Sequence, residues 1–251
     1  MKIDIQAISD KGMVRENNED AISIGGVFLR DDAMRLTVDV QENSVFYLLV
    51  SDGMGGHDKG EEASEITLEE LKEQFAMNEI QPDTFSDDIN EAGKYISYKL
   101  NNAAIDQGQL RFMGCTLTGV VWHYGKIYLI NAVDSRTYRF RGGILRQLTT
   151  DQTERGITGN PQASKSLLNC IGGGLTGKIL TDDITNKIIE NDVILICSDG
   201  LTDMLSDDEI EAMLNEGITN DGMEECLAEK LKEKACEAGG HDNVSIVLAK
   251  L

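Results

Sequence analysis

A chain of 251 residues, 41 % hydrophobic and 27 % charged, has room for one sizeable core or at most two small ones and has the composition of an ordinary soluble globular protein. Its 44 acids against 23 bases give a net charge of −21, which argues against nucleic acid or an anionic membrane as main partner but leaves open a phosphorylated ligand held by local cations. The five cysteines are odd in number and form no Cys-x-x-Cys pair, so no disulfide framework and a reducing, cytoplasmic compartment are expected. Met1 to Gln6 does not read as a signal peptide, and no apolar run approaches the roughly 18 residues of a bilayer span.

In chain order, residues 3–8 alternate apolar and polar and predict a strand. Residues 20–28 and 34–40 predict strands around a polar link, and 44–50 a buried strand rich in aromatic and branched side chains. From Glu61 to Met77 the period turns helical, with Ile66, Leu68, Leu71 and Phe75 on one stripe. A second helix is expected over 86–107, with Ile89, Ala92, Ile96, Leu100 and Ala103 on its stripe and Ser86 as N-cap. Strands return at 115–123, 126–133, 136–141 and 144–148, with Tyr124-Gly125 and Gly142-Gly143 as hairpin turns. Residues 151–177, rich in Gly, Ser, Thr and Asn, predict a long irregular segment of the kind that often carries function. Strands are expected near 178–189 and at 192–197. Helices follow at 206–216, with Ser206 as N-cap, and at 221–237, with Met223, Leu227, Leu231 and Ala235 on one face; the last strand is 243–250. Strand and helix do not alternate along the chain, so the expected class is α+β: antiparallel sheets covered by helices on the outside.

Two apolar runs stop at the same tripeptide, Ser51-Asp52-Gly53 and Ser198-Asp199-Gly200. Glu19-Asp20 precedes a third run and Asp242 a fourth. Carboxylates at strand ends can converge on one rim of a sheet, where they repel each other and lose solvation unless a cation sits between them. Oxygen donors with few histidines and no clustered thiols favour a hard divalent ion such as Mg²⁺ or Mn²⁺ over zinc.

The segments Ser9 to Asp20, Asp52-Gly53-Met54-Gly55-Gly56-His57, Gly114-Cys115-Thr116-Leu117, Asp134-Ser135-Arg136-Thr137-Tyr138, Leu148-Thr149-Thr150-Asp151, Ser198 to Asp203 and Gly240-His241-Asp242-Asn243-Val244 occur in this order. Together they resemble the motifs of the protein phosphatase 2C family in its bacterial form. The resemblance implies one catalytic domain over 1–251, an antiparallel β-sandwich flanked by α-helices on both faces, with a flap at about 151–177. It implies two divalent ions, Mn²⁺ or Mg²⁺, and a weaker third. Asp52 would bridge the two, Asp199 and Asp242 would complete the first, and Glu19 and the Gly53 carbonyl would hold the second. Asp134 with Asp199 would bind the third, and Asp20 would accept hydrogen bonds from waters around the ions. Arg15 would grip phosphate with a bidentate fork that lysine lacks. The implied activity is hydrolysis of phosphoserine and phosphothreonine in proteins, by a monomer opposing a Ser/Thr kinase.

Plainer roles compete with these. Asp-Gly is a common turn, Asp134 could simply pair with Arg136, and His57 reads as structural or as a supporting hydrogen-bonder. Ser206-Asp207-Asp208-Glu209 reads as a helix cap with dipole-matched acids. Three positions depart from the family pattern. Val133 replaces the usual Gly, whose backbone angles a branched residue is not expected to adopt. Gln152 replaces a His after Asp151, and Met54 stands where eukaryotic members carry a His. A hydrolase of small phosphate esters and a catalytically silent phosphoprotein-binding relative remain the alternatives.

Overall fold

The apolar runs assemble into two facing antiparallel sheets. The structure, a computed structural model, describes residues 1–54, 59–77, 80–106, 113–160, 162–164, 166–219 and 222–251; Gly55, Gly56 and His57 lie outside them. In chain order the elements are β1 (Lys2–Asp10), β2 (Asp20–Ile24), β3 (Val27–Leu29), β4 (Asp32–Asp39), β5 (Val45–Met54), α1 (Lys59–Ala76), α2 (Phe85–Asp106), β6 (Gly114–Cys115), β7 (Leu117–His123), β8 (Lys126–Ala132), β9 (Arg136–Arg141), β10 (Ile144–Gln147), α3 (Glu154–Thr158), β11 (Ile171–Gly172), β12 (Leu180–Asp183), β13 (Val193–Cys197), α4 (Asp199–Thr202), α5 (Asp207–Gly217), β14 (Ile218–Thr219), β15 (Gly222–Met223), α6 (Leu227–Glu237) and β16 (Val244–Lys250).

Among the described residues, one sheet runs β10-β9-β13-β16-β1-β4 and the other β11-β6-β5-β7-β8-β12, with the β2–β3 hairpin added beside β5. Helices α1 and α2 cover the second sheet through Leu68, Leu71, Ile89 and Ile96. Helices α5 and α6 cover the first through Ile210, Leu214, Leu227 and Leu231. Ile5, Ile22, Leu48, Val120, Ile194 and Val247 fill the space between the sheets. This is the four-layer arrangement expected. Strands β5 and β13 are buried on both faces and therefore read as unbroken apolar runs: Leu49 packs towards α1 while Leu48 and Val50 point between the sheets. Each such side chain contributes about 1.5–3 kcal/mol on full burial. No helix among the described residues is long and apolar enough to cross a membrane.

The structure corrects several boundaries. Residues 20–28 form a hairpin rather than one strand, because Gly25 and Gly26 both take positive φ (55° and 90°), as a tight two-residue turn requires. Ser86 is not the N-cap of α2 but lies within its first turn, where its hydroxyl accepts from Thr181. The strand expected at 178–189 ends at Asp183, whose carboxylate accepts from the Thr185 amide and starts a short 3₁₀ turn. Met223 lies in β15, not on a helix; α6 starts at Leu227. The segment 151–177 is not wholly irregular. It contains α3, capped by Thr153 Oγ1 accepting from the Gly156 amide and ended by Gly159 in the left-handed region, and β11 paired with β6. The Ser206–Glu209 capping box forms as expected.

Candidate metal centre

Strand parity delivers the acids. In β2, Ile22 and Ile24 point between the sheets, so Asp20 does too; in β5 the same row runs Leu48, Val50, Asp52. Asp20 and Asp52 are direct partners across the β2–β5 ladder. In the other sheet the inward rows end in Ser9, Ser198 and Ser245. The sandwich interior therefore changes from aliphatic to polar at one end. Ser198 Oγ donates to Asp20 Oδ2 at 2.7 Å and links the sheets there, and Ser245 Oγ donates to Ser9 Oγ at 3.0 Å. Thr116 Oγ1 and Ser135 Oγ, 2.7 Å apart, form a second link, and Thr116 Oγ1 also accepts from the Asp52 amide at 3.0 Å.

Residues 11–19 carry the chain from β1 in one sheet to β2 in the other, bearing Arg15 and Glu19. Asn243, almost fully buried, clamps this crossing: its Nδ2 donates to the carbonyls of Lys11 and Asn17, and its Oδ1 accepts from the Glu19 amide. The Glu19 carbonyl accepts from Ser64 Oγ at 2.6 Å and from the Gly53 amide at 3.2 Å. Close approach demands glycine here, since a Cβ on Gly53 would lie 1.9 Å from the Gly60 carbonyl and one on Gly60 would lie 2.5 Å from the Glu19 carboxylate. Arg30, nearly buried, ties the Asp20 carbonyl to Glu61 and Ser64 of α1.

Arg15, Glu19, Asp52, Gly53, Asp134, Asp199 and Asp242 all line one cleft of about 990 Å³; Asp20 lies behind them, buried. Every residue singled out in the sequence for the centre thus reaches one end of the sandwich. The guanidinium of Arg15 donates to Asp242 Oδ2 at 2.6 Å. Arg136 does not take Asp134 as its partner; it forms a bidentate pair with Asp151 (2.7 Å for the shortest contact). Val133, against expectation, does adopt a positive φ of 80° while fully buried. Residues 133–135 must step from β8 to β9, which belong to opposite sheets, and that short crossing imposes the angle. The far wall of the cleft comes from 147–167, including Gln147, Thr153, Arg155 and Leu167. The sequence reading assigned none of Asn243, Arg30 and Arg155 a role; the inward parity of the polar strand ends was the available signal for Ser9 and Ser245.

Burial raises the Asp52 carboxyl well above the usual range, and the charges of Asp20, Asp199, Asp242 and Asp134 add to it. Burial likewise pushes Asp20 up to about 7 against the opposing hydrogen bonds of Ser198 and Ser245. It pushes Asp199 up to about 7, with Asp134 and Asp242 adding, and Asp134 up to about 6. Glu19 is raised by burial although Arg15 opposes it. Asp199 Oδ1 is buried with no hydrogen-bond partner. Among the described residues no three His, Cys, Asp or Glu side chains close up as a ready-made metal cluster; the acids ring the cleft, with Arg15 drawn onto one of them. Facing acids on paired strands, an orphaned buried carboxylate oxygen and an all-oxygen donor set fit hard divalent ions.

The sequence model of one family, described as protein phosphatase 2C, matches residues 26–234. The chain belongs to the protein phosphatase 2C family. Arg15, Glu19, Asp20 and Asp242 lie outside the matched span, yet the fold brings them to the same end as Asp52 and Asp199. The chain is 29 % identical to the serine/threonine phosphatase stp of Listeria monocytogenes over 96 % of its own length and 93 % of that protein. The solved serine/threonine phosphatase of S. agalactiae superposes with a TM-score of 0.78 at 24 % identity, over 99 % of each chain, a likeness of fold. The catalytic domain of the phosphatase PstP, solved with two manganese ions, matches at TM-score 0.74 and 27 % identity, covering 99 % of this chain and 98 % of that one. These protein phosphatase 2C relatives share the α+β sandwich.

Proposed function

We infer that the chain hydrolyses phosphoserine and phosphothreonine in proteins, using two divalent ions, Mn²⁺ or Mg²⁺. The observation that carries this reading is the facing pair Asp20 and Asp52, two acids buried opposite each other at the end of the sandwich, where a bound cation would offset their charges. Asp52, Asp199 and Asp242 would hold one ion, and Asp52, Glu19 and the Gly53 carbonyl the other. Asp134 with Asp199 would hold a weaker third. When bound, such ions supply Lewis-acid activation of water for in-line attack on phosphorus.

The chain's own groups do the rest. Arg15, exposed at the mouth of the cleft and raised in pKa by its hydrogen bond to Asp242, presents a planar fork to phosphate oxygens. Asp20, fixed by Ser198, accepts hydrogen bonds from water inside the centre. Asp151 holds Arg136 through both of its oxygens, whereas Arg15 meets Asp242 through one contact, and an ion that took up Asp242 would free the Arg15 fork for phosphate. The same reading takes 1–251 as one cytoplasmic, monomeric catalytic unit that opposes a Ser/Thr kinase, with 151–177 as the flap beside the cleft.

The test is phosphate release from p-nitrophenyl phosphate and from a phosphothreonine peptide, with and without Mn²⁺, by the parent and by Asp52→Asn. Metal-dependent release from both, lost in the variant, is expected. Release from neither overturns the reading, and release from the small ester alone replaces it with a small-ester hydrolase.

A further inference from the structure

The crossing that carries Asp134 is held by a residue that the proposed chemistry does not use. Val133 sits at φ 80°, a backbone region that a β-branched residue rarely adopts. Its carbonyl accepts from the Gln152 amide at 2.9 Å. Two residues earlier, the Asn131 carbonyl accepts from Gln152 Nε2 at 3.2 Å. Backbone and side chain of one residue thus bracket the start of the crossing.

The other half of Gln152 faces the flap. Its Oε1 accepts from Asn169 Nδ2 at 2.6 Å, and its carbonyl accepts from the Leu168 amide at 2.9 Å. Asn169 in turn donates to the Lys178 carbonyl and accepts from the Lys178 amide, so both ends of residues 169–178 are drawn together. The two side-chain contacts need a donor at one atom and an acceptor at the next, and a primary amide supplies both in one plane. Gln152 is buried, and its neighbours Asp151 and Thr153 both line the cleft.

We propose that Gln152 is a positioning residue that fixes the strained Val133–Asp134 crossing with one arm and the flap with the other, setting both the aim of Asp134 and the height of the cleft wall. The inference rests on the reading of Asp134 as a ligand of the weakest ion. A crossing held by Gln152 keeps Asp134 beside Asp199; without it, Val133 relaxes towards negative φ and the carboxylate swings away.

Three variants test this, each followed by Mn²⁺ titration calorimetry of metal-depleted protein, by KM and kcat on a phosphothreonine peptide, and by melting temperature. Gln152→Leu removes both side-chain contacts, to the Asn131 carbonyl and to Asn169, and keeps the backbone bonds to Val133 and Leu168. It is expected to weaken only the weakest Mn²⁺ step, by about ten-fold, and to raise the peptide KM. Asn169→Ala removes the Gln152 side-chain contact to the flap together with the Asn169–Lys178 pair, leaves the Asn131 contact in place, and is expected to raise the peptide KM while leaving every Mn²⁺ step as in the parent; it also decides the flap arm should Gln152→Leu fail to fold. In a Val133→Gly background, where glycine takes a positive φ unaided, Gln152→Leu is expected to weaken that Mn²⁺ step by less than three-fold, roughly the scatter of such comparisons. Equal weakening of all Mn²⁺ steps alongside a fall in melting temperature would mean a merely structural role and overturn the proposal, as would a weakening undiminished by Val133→Gly. A parent that takes up no manganese would overturn the reading of the whole centre; a parent that takes it up, with Gln152→Leu indistinguishable, overturns this inference alone.

Discussion

Asp20 and Asp52 face each other across the β2–β5 ladder, both pointing into the sandwich. Like charges directly opposite on paired strands are destabilising, and burial worsens it by holding Asp20 at about 7 and Asp52 also well above the usual carboxylate range. A bound cation would offset the pair, and without one the two acids give the protein an unusual response to pH.

Without metal, the folded chain binds protons at Asp20, Asp52 and Asp199 that the unfolded chain releases above about 4. A raised folded-state value contributes stability that is fully present below the unfolded value and is lost as pH rises through the folded one. In EDTA the melting temperature should therefore fall between pH 5 and 8. About 1 kcal/mol corresponds to roughly 2–4 °C in a chain of this size, so the fall should reach several degrees. Mn²⁺ should abolish it, because the ion binds the deprotonated acids. Differential scanning fluorimetry across this range is the check; a melting temperature that is flat or rises in EDTA counts against the charge arrangement.

Asp52→Asn should separate stability from activity. Losing a bridging ligand should lower the Mn²⁺-dependent rate by more than the 10- to 100-fold typical of a supporting residue. The same change removes the repulsion with Asp20, so in EDTA at pH 8 the variant should melt above the parent. Rate assays and melting curves on the same samples decide it.

Arg15→Lys keeps the charge but not the fork. The expected result is a fall in kcat/KM of about ten-fold or more, since a charge-assisted hydrogen bond contributes roughly 1.5–3 kcal/mol, with melting temperature nearly unchanged because Arg15 is exposed. Full activity in the lysine variant would show that Arg15 does not hold the phosphate in this way.

Val133 offers an inversion of the usual order of small residues. Val133→Ala keeps the positive φ and loses buried methyl groups, for about 2 kcal/mol of destabilisation. Val133→Gly loses a little more surface but relieves backbone strain of about 1–3 kcal/mol. The glycine variant should be at least as stable as the alanine one, as read from urea midpoints.

Asn243→Ala should loosen the 11–19 crossing. It leaves the Lys11 and Asn17 carbonyls and the Glu19 amide without their partner, at about 1–3 kcal/mol for a buried group so stranded. Hydrogen–deuterium exchange should rise first at 11–19, before the sheet amides; uniform exchange would argue against a local clamp.

Much of this centre could be read from residue order. Apolar runs ending at Asp52 and Asp199, and acids opening the runs at Asp20 and Asp242, are visible in the chain because strand ends are where turn chemistry begins. Which strands would be neighbours was not visible, so neither the Asp20–Asp52 pairing nor the Ser198 link could be foreseen. The φ of Val133 was read the wrong way because residue preference was weighed without the three-residue crossing between sheets that overrides it. Ser86 was misplaced as a cap for a related reason: its hydroxyl is engaged by Thr181 from a distant strand. The corrected starts of α6 and the 3₁₀ turn after β12 were in principle legible, through Gly222 and through Asp183 two residues before Thr185.

Strand β16 lies between β13 and β1, so β1 has no neighbour on that side until β16 joins the sheet. Asp242 and Asn243, at the mouth of β16, arrive with it. Until then the chain holds all the acids of the other sheet but lacks the clamp on Arg15 and Glu19. The proposed centre is thus complete only once β16 has closed its sheet.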